Sequence, residues 1–244
     1  MRRETRIGVV IPALDEERAL PKVLGALPDW IDELIVVDNG SSDRTAEVAR
    51  ASGARVVVEP RRGYGAACRA GIAALDRPGV VVFLDADASD DPSEIGRLVD
   101  PILLEGADLV IGSRVLGDAE PGALTPVQRA GNRLACALIH AFWGVRYTDL
   151  GPFRAIKRSA LERLKMADQG FGWTVEMQVK AARAGLAVTE VPTRYRRRIG
   201  VSKISGTVSG TVRAGAKILY VIFRSLLSPK NSRAGRPGEN ARGR

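Results

Sequence analysis

The stretch that most constrains this chain is Val80-Val81-Val82-Phe83-Leu84-Asp85-Ala86-Asp87, in which five apolar residues run straight into a carboxylate, a spacer and a second carboxylate. An apolar run without polar alternation needs cover on both faces, as in the interior of a parallel sheet flanked by helices. The C-terminal end of such a strand is where open α/β sheets bind ligands. Two neighbouring carboxylates oppose each other's ionisation. A hard cation such as Mg²⁺ or Mn²⁺, which takes one or two carboxylates together with substrate phosphates, would relieve the conflict. A solvated acidic turn continuing through Asp90, Asp91 and Pro92 accounts for the same residues, so the pair alone leaves both readings open.

The surrounding chain predicts the sheet. A strand over 7–11 stops at Pro12, and a helix follows over 16–27. A second strand over 34–37 ends in Asp38. Asn39-Gly40-Ser41-Ser42-Asp43 then reads as a turn and helix cap, with a helix to residue 52. A third strand covers 55–58, and the glycine-rich turn Arg61-Arg62-Gly63-Tyr64-Gly65 opens a helix to residue 75. After the Asp-x-Asp strand, Asp91-Pro92 starts a helix with proline in its first turn, and a strand over 108–112 ends at Ser113-Arg114. Strand–helix alternation with short loops predicts an α/β fold, a mostly parallel central sheet with helices on both faces. The second half is less regular: a helix over 125–143, a strand over 152–156, a helix over 172–184, and strands over 187–191 and 193–195 that Pro192 assigns to an edge.

Composition narrows the chemistry. With 244 residues and 45% apolar content the chain makes one large domain, or one domain with an extension. Cys68 and Cys136 offer neither a disulfide framework nor metal-ligand spacing and read as small buried hydrophobes, which fits a reducing compartment. The one histidine, His140, lies in an apolar stretch and reads as core or interface packing, so zinc chemistry and a Ser-His-Asp triad are not expected. No apolar secretory segment follows Met1-Arg2-Arg3-Glu4. Gly63 and Gly65 do not form Gly-x-Gly-x-x-Gly and follow the third strand, and no Walker A sequence is present, which argues against a nicotinamide cofactor and a P-loop enzyme.

The net charge of +9 is uneven: Arg194 to Arg244 holds 13 Lys or Arg and one acid, while the preceding body is mildly acidic. That asymmetry suggests an anionic partner. Over 204–227 apolar residues recur every three or four positions, interrupted by Arg213, Lys217 and Arg224. This is too polar for a spanning helix. It suits a helix lying in an anionic membrane surface or one packed on the body. The residues beyond read as a disordered basic tail. The predicted organisation is therefore a catalytic-looking domain over 1–203, an amphipathic helix over 204–227 and a tail over 228–244. The basic part lacks interleaved aromatics beyond Tyr195, Tyr220 and Phe223, so no nucleic-acid partner is expected.

Three motifs, Val10-Ile11-Pro12-Ala13-Leu14-Asp15-Glu16, Val36-Val37-Asp38-Asn39-Gly40-Ser41-Ser42-Asp43 and Asp85-Ala86-Asp87, together with Gly112-Ser113-Arg114, resemble those of family 2 glycosyltransferases with the GT-A fold. Thr148-Asp149-Leu150-Gly151-Pro152-Phe153-Arg154, Trp173-Thr174-Val175-Glu176 and Gly200-Val201-Ser202-Lys203 make the chain most similar to dolichyl- or polyprenyl-phosphate sugar synthases, over residues 7–227. The resemblance implies inverting, metal-dependent transfer of a hexose from a nucleotide-sugar donor to a polyprenyl-phosphate acceptor, at the cytoplasmic face of the cell membrane. It implies that Pro12, Leu14, Glu16, Asp38, Gly63, Gly65, Asp85 and Ala86 bind the nucleotide sugar, and that Asp85 and Asp87 hold Mg²⁺ or Mn²⁺. Asn39 stands where many relatives carry a second aspartate, and Ser89 where several carry glutamine.

Arg114 and Arg129 would bind the acceptor phosphate, for which the fixed guanidinium fork is suited. Arg198, Ser202 and Lys203 would close over the phosphates as a basic loop. Each also has a plainer reading: Arg129 as a solvated helix face, the loop as a general electrostatic patch, and Asp149 as a turn residue. Were the acceptor a soluble or glycan hydroxyl, a general base would be needed, with Asp149 the first candidate. A sugar nucleotidyltransferase would want a glycine-rich phosphate loop after the first strand, where this chain has Pro12-Ala13-Leu14-Asp15-Glu16.

Overall fold

Among the described residues every strand joins one mixed sheet. The structure, a computed structural model, describes residues 4–200 and 208–227. Ser202, Lys203, the 203/204 boundary and the 228–244 tail lie outside the described residues. The strands are β1 (Ile7–Ala13), β2 (Glu33–Asp38), β3 (Arg55–Val58), β4 (Val80–Phe83), β5 (Leu109–Ser113), β6 (Arg154–Lys157) and β7 (Val188–Pro192), ordered β3-β2-β1-β4-β6-β5-β7. The helices are α1 (Leu20–Gly25), α2 (Thr45–Ala51), α3 (Tyr64–Ala74), α4 (Ile95–Leu104), α5 (Pro126–Trp143), α6 (Arg158–Leu164), α7 (Trp173–Ala184) and α8 (Val208–Leu227).

The apolar run ahead of Asp85 behaves as its composition requires. In β4, Val81 and Phe83 join the core beneath α3, α5 and α7, while Val80 and Val82 join a second core beneath α1 and α4. All four are buried, and each such side chain contributes roughly 1.5–3 kcal/mol of transfer free energy. The sheet is parallel except for β6, which pairs antiparallel with both β4 and β5. β7 is an edge strand, as Pro192 indicates.

Several local expectations shift. β1 continues through Pro12 to Ala13, because β4 has already left the pairing at Val10 and only β2 lies alongside, so the missing proline N–H interrupts no ladder on the β4 side. The first helix begins at Leu20 instead of residue 16, since Asp15 adopts a left-handed φ of 53°. Residues 193–195 form no strand: the Thr193 N–H donates to the Ser113 carbonyl at the end of β5, and Tyr195 makes isolated bridges to Asp90 and Ala119. α6 is an additional short helix. α5 starts at the predicted place because Thr125 and Gln128 form a reciprocal capping box. Cys68 and Cys136 are buried as expected, whereas His140 lies on the exposed side of α5 and packs in no core.

α8 takes the body-packing alternative with one face and leaves the other open. Val221 and Ile222 are buried against the α5–α7 surface, while Tyr220, Phe223, Leu226 and Leu227 stay exposed beside Arg213 and Arg224. Among the described residues no helix is long and apolar enough to cross a membrane.

Candidate active site

The C-terminal ends of β1, β2 and β4 meet at a cleft of about 590 Å³. One wall is the loop Pro12, Ala13, Leu14, Asp15 and Glu16; the floor is Asp85, Ala86 and Asp87; the opposite wall is Asn39, Arg62, Gly63, Tyr64 and Ala67. Gly170, Phe171 and Arg198 close the mouth. Of the expected donor-binding residues, Pro12, Leu14, Glu16, Gly63, Asp85 and Ala86 are brought together here. The loop carrying Asp15 is pinned to the β2–α2 turn: Asp15 Oδ1 accepts from the Ser42 N–H at 2.7 Å, and the Glu16 N–H donates to Thr45 Oγ1 at 2.7 Å.

Two expected donor residues are used differently. Asp38 does not line the cleft; its Oδ1 accepts the Ser41 N–H and shapes the turn. Its neighbour Asn39 lines the cleft but is committed to the loop after β3. The Asn39 amide donates to the carbonyls of Glu59 (2.9 Å) and Arg61 (2.8 Å), and its oxygen accepts the Gly63 N–H (2.7 Å). An aspartate could not donate to those carbonyls, so the asparagine follows from the loop it holds. Gly65 is likewise outside the lining. A Cβ there would lie 2.1 Å from the Asp168 carbonyl oxygen, and one at Gly63 2.1 Å from that of Gln169. Both glycines permit α3 to begin directly against the 168–170 backbone.

The carboxylates differ in state. Asp85 Oδ1 is enclosed without a hydrogen-bond partner among the described residues. Burial, and then the charge of Asp87, push the Asp85 carboxyl up to about 7. Asp87 Oδ1 accepts the Ser89 N–H, and Oδ2 is ion-paired with Arg198 at 3.0 Å. No group of three or more His, Cys, Asp or Glu forms a metal cage among the described residues. One idle carboxylate oxygen beside another already balanced by a cation is nevertheless a hard-oxygen donor set that fits Mg²⁺ or Mn²⁺ completed by phosphates. Ala88, next in the chain, adopts a left-handed φ of 60°, a strain of about 1–3 kcal/mol of the kind concentrated at functional sites.

Sequence reasoning missed Asp90. It is buried, neither carboxylate oxygen has a partner among the described residues, and burial followed by Asp85 and Asp87 raises its carboxyl well above the usual range. It also missed Tyr64, Arg62 and Phe171 as lining residues. The charge in Asp90-Asp91 suggested a solvated turn, and only the segment 194–199 laid over it explains the burial. There the Arg196 N–H donates to Ser89 O, the Ile199 N–H to Asp87 O, and the Arg196 guanidinium pairs with Asp91 at 2.7 Å.

The structure separates the expected acceptor group. Arg114 and Asp149 form a buried bidentate pair, with Nε and Nη2 each donating at 2.7 Å. Asp149 is fully buried and also accepts the N–H groups of Arg114 and Leu150, so neither oxygen is available as a base. Burial alone would lower the Arg114 ionisation, but the Asp149 partnership overrides it and raises it. Arg114 also lies over the Tyr195 ring, 5.0 Å from its centroid. Arg129 sits on the exposed face of α5, outside the cleft lining. Trp173 is buried edge-on to Phe83, and Glu176 accepts the N–H groups of Ala167 and Asp168, so both support the 167–172 loop from behind.

Residues 8–165, which carry all of the cleft lining except Gly170, Phe171 and Arg198, match the family model "Glycosyl transferase family 2". The chain belongs to glycosyltransferase family 2. As a family 2 glycosyltransferase it is 41% identical over 209 residues to an uncharacterized glycosyltransferase of Mycobacterium tuberculosis, covering 84% of this chain and 93% of the relative. It is 35% identical over 228 residues to a dolichyl-phosphate hexose transferase of Haloferax volcanii, covering 91% and 96%. It is 33% identical over 227 residues to a polyprenol monophosphomannose synthase of Mycolicibacterium smegmatis, covering 85% and 84%. Its fold is similar to the crystal structure of glucosyl-3-phosphoglycerate synthase from M. tuberculosis in complex with Mn²⁺, UDP-glucose and phosphoglyceric acid, with a TM-score of 0.75 and 28% identity over 94% of this chain and 82% of that one. These likenesses establish the GT-A-like α/β architecture and the transferase class of this family 2 enzyme.

Proposed function

We propose that this glycosyltransferase moves a hexose from a nucleotide sugar to a polyprenyl phosphate, with inversion at the anomeric carbon. The observation that carries the donor half is the cleft floor: Asp85 with an idle oxygen among the described residues and Asp87 paired to Arg198, with Arg62, whose guanidinium is held by the Gly40 carbonyl, also in the lining. That is a site for a diphosphate and a divalent cation. Asp85 and Asp87 would hold Mg²⁺ or Mn²⁺, which when bound supplies positive charge to the departing diphosphate. Arg198 and Arg62 supply fixed positive charge from the protein side, and the walls from Pro12 and Asn39 orient the nucleoside end. The UDP, Mn²⁺ and Mg²⁺ complexes of the related synthase support this reading.

The acceptor half rests on relatives named for dolichyl-phosphate and polyprenol substrates and on the commitment of Asp149. A phosphate monoester has a second pKa near ~6 and is largely dianionic at neutral pH. It needs positioning more than deprotonation. A hydroxyl acceptor would need a base, and Asp149 is spent on Arg114. The exposed Tyr220, Phe223, Leu226 and Leu227 with Arg213 and Arg224 support a peripheral position on the inner membrane face. A second reading, a soluble phosphorylated acceptor, is favoured by the fold likeness to a phosphoglycerate-glycosylating enzyme. Labelled UDP-glucose and GDP-mannose, each with Mn²⁺, offered against undecaprenyl phosphate and against 3-phosphoglycerate, separate the two. A solvent-extractable labelled product supports the lipid; a new labelled anion, separated from the donor by ion-exchange chromatography and formed only with 3-phosphoglycerate, supports the soluble acceptor.

A further inference from the structure

The part of the cleft mouth that carries Phe171 belongs to the connection between α6 and α7, and its backbone is held from several sides. Asp168 Oδ1 accepts the N–H groups of Gly170 (2.8 Å) and Gly172 (3.1 Å). The first N–H groups of α3 reach across to it, Gly65 to the Gly170 carbonyl and Ala66 to that of Gln169. The second Asp168 oxygen serves no bond within the loop. It is ion-paired at 2.7 Å with Lys217 Nζ of α8, and the Asp168 side chain is only 7% exposed. One helical turn further on, Val221 closes on the same loop: a Cβ at Gly172 would lie 2.7 Å from Val221 Cγ2. The sequence marked Lys217 as an interruption of an apolar face. In the fold it is the charge that a buried carboxylate at the cleft mouth uses.

We propose that Lys217 is a positioning residue for the donor cleft: through Asp168, α8 fixes the loop that presents Phe171 to the bound nucleotide sugar. The inference rests on the donor reading given above. With Lys217 in place, Asp168 holds the Gly170 and Gly172 amides on one oxygen and a cation on the other, and the wall is set before the donor arrives. Without it, the donor must order the loop as it binds, and affinity falls by that ordering cost. The effect acts through Phe171, so it is visible in binding as well as in stability.

The test uses the full chain with Mn²⁺ and UDP-glucose or GDP-mannose, whichever the wild type binds, followed by calorimetric titration and amide exchange. Lys217→Met is expected to weaken donor binding about three- to fivefold, the range of a partly exposed ion pair, and to speed exchange at Gly170 and Gly172. Asp168→Asn, which keeps the Oδ1 acceptor, should reproduce both effects, and Lys217→Arg should restore affinity to within about twofold. In a Phe171→Ala background, Lys217→Met should cause no further loss, because coupled residues are non-additive. Unchanged donor affinity and exchange in both Lys217→Met and Asp168→Asn, or losses at Lys217 and Phe171 that add in full, would overturn the proposal. If the wild type binds neither donor, the donor reading itself fails, and unchanged exchange at Gly170 and Gly172 in Lys217→Met then overturns the hold of Lys217 on the loop.

Discussion

The guanidinium of Arg198 stands 3.0 Å from Asp87 Oδ2, where it balances a carboxylate on the floor of the cleft. Arg198 and a divalent cation therefore compete for one oxygen. Arg198→Ala should bind Mn²⁺ more tightly than the wild type in the absence of nucleotide, and a nucleoside diphosphate more weakly in its presence. Electron paramagnetic resonance titration of free Mn²⁺ checks the first, and calorimetry the second. Looser Mn²⁺ binding in the variant would remove the competition.

Asp85 sets a pH dependence. Its ordinary value is 3.8 and in the folded protein it is pushed up to about 7, so between these values the folded state holds a proton that the unfolded state releases. Stability from this group therefore falls as pH rises through that window, and the deficit is complete above about 7. Asp85→Asn should melt higher than the wild type at pH 8 and at the same temperature near pH 4. Metal binding needs the ionised form, so Mn²⁺ affinity of the wild type should rise up to about tenfold per pH unit below 7 and level off above it. Thermal melts and Mn²⁺ titrations across pH measure both.

Breaking the Arg114–Asp149 pair from one side leaves a charge stranded in the interior. Arg114→Ala should cost about 3–5 kcal/mol in chemical denaturation. The Arg114→Ala/Asp149→Asn double variant should recover part of that loss, since it strands neither group. If Asp149 were instead a catalytic base, Asp149→Asn would abolish transfer without a comparable loss of stability.

Gly65→Ala puts a methyl group 2.1 Å from a backbone oxygen of the facing loop. Relief requires the start of α3 or the 168–170 segment to move, at roughly 1–3 kcal/mol. Donor affinity should fall together with the melting temperature, because both segments flank the cleft.

The open face of α8 predicts lipid contact. Leu226→Ser/Leu227→Ser should release the protein from phosphatidylglycerol vesicles in sedimentation while the helix stays docked through Val221, Ile222 and the edge-on contact of Phe223 with Phe142. Binding of the wild type should weaken as salt rises, because screening attenuates the pull on Arg213 and Arg224. Equal sedimentation of variant and wild type would place the contact elsewhere.

The sequence reported on the features that local physics dictates. Val80 to Phe83 had to be covered on both faces, Pro192 had to lie at an edge, and Thr125 could open a helix; each follows from residues within a few positions. Asp38 and Asn39 show where this stops. Adjacent polar residues at a strand end look interchangeable until the loop after β3 is seen to claim the Asn39 amide. Asp149 looked reactive because its partner Arg114 is 35 residues away. Asp90 looked solvated because the segment that covers it comes a hundred residues later. Burial and pairing at long range decided these assignments, and neither has a local signature.

Among the described residues β6 is the one reversed strand, and it joins two territories. Everything at the cleft up to Asp87 arrives on strands pointing toward the rim, while Asp149 to Phe153 reach the same rim at the start of a strand pointing away. The stretch between β5 and β6 is thus a detour that leaves and re-enters the sheet beside β4 without passing through the donor half. Such a layout lets the detour be lengthened or shortened while β3, β2, β1 and β4, with the strand ends that frame the cleft, keep their order and pairing.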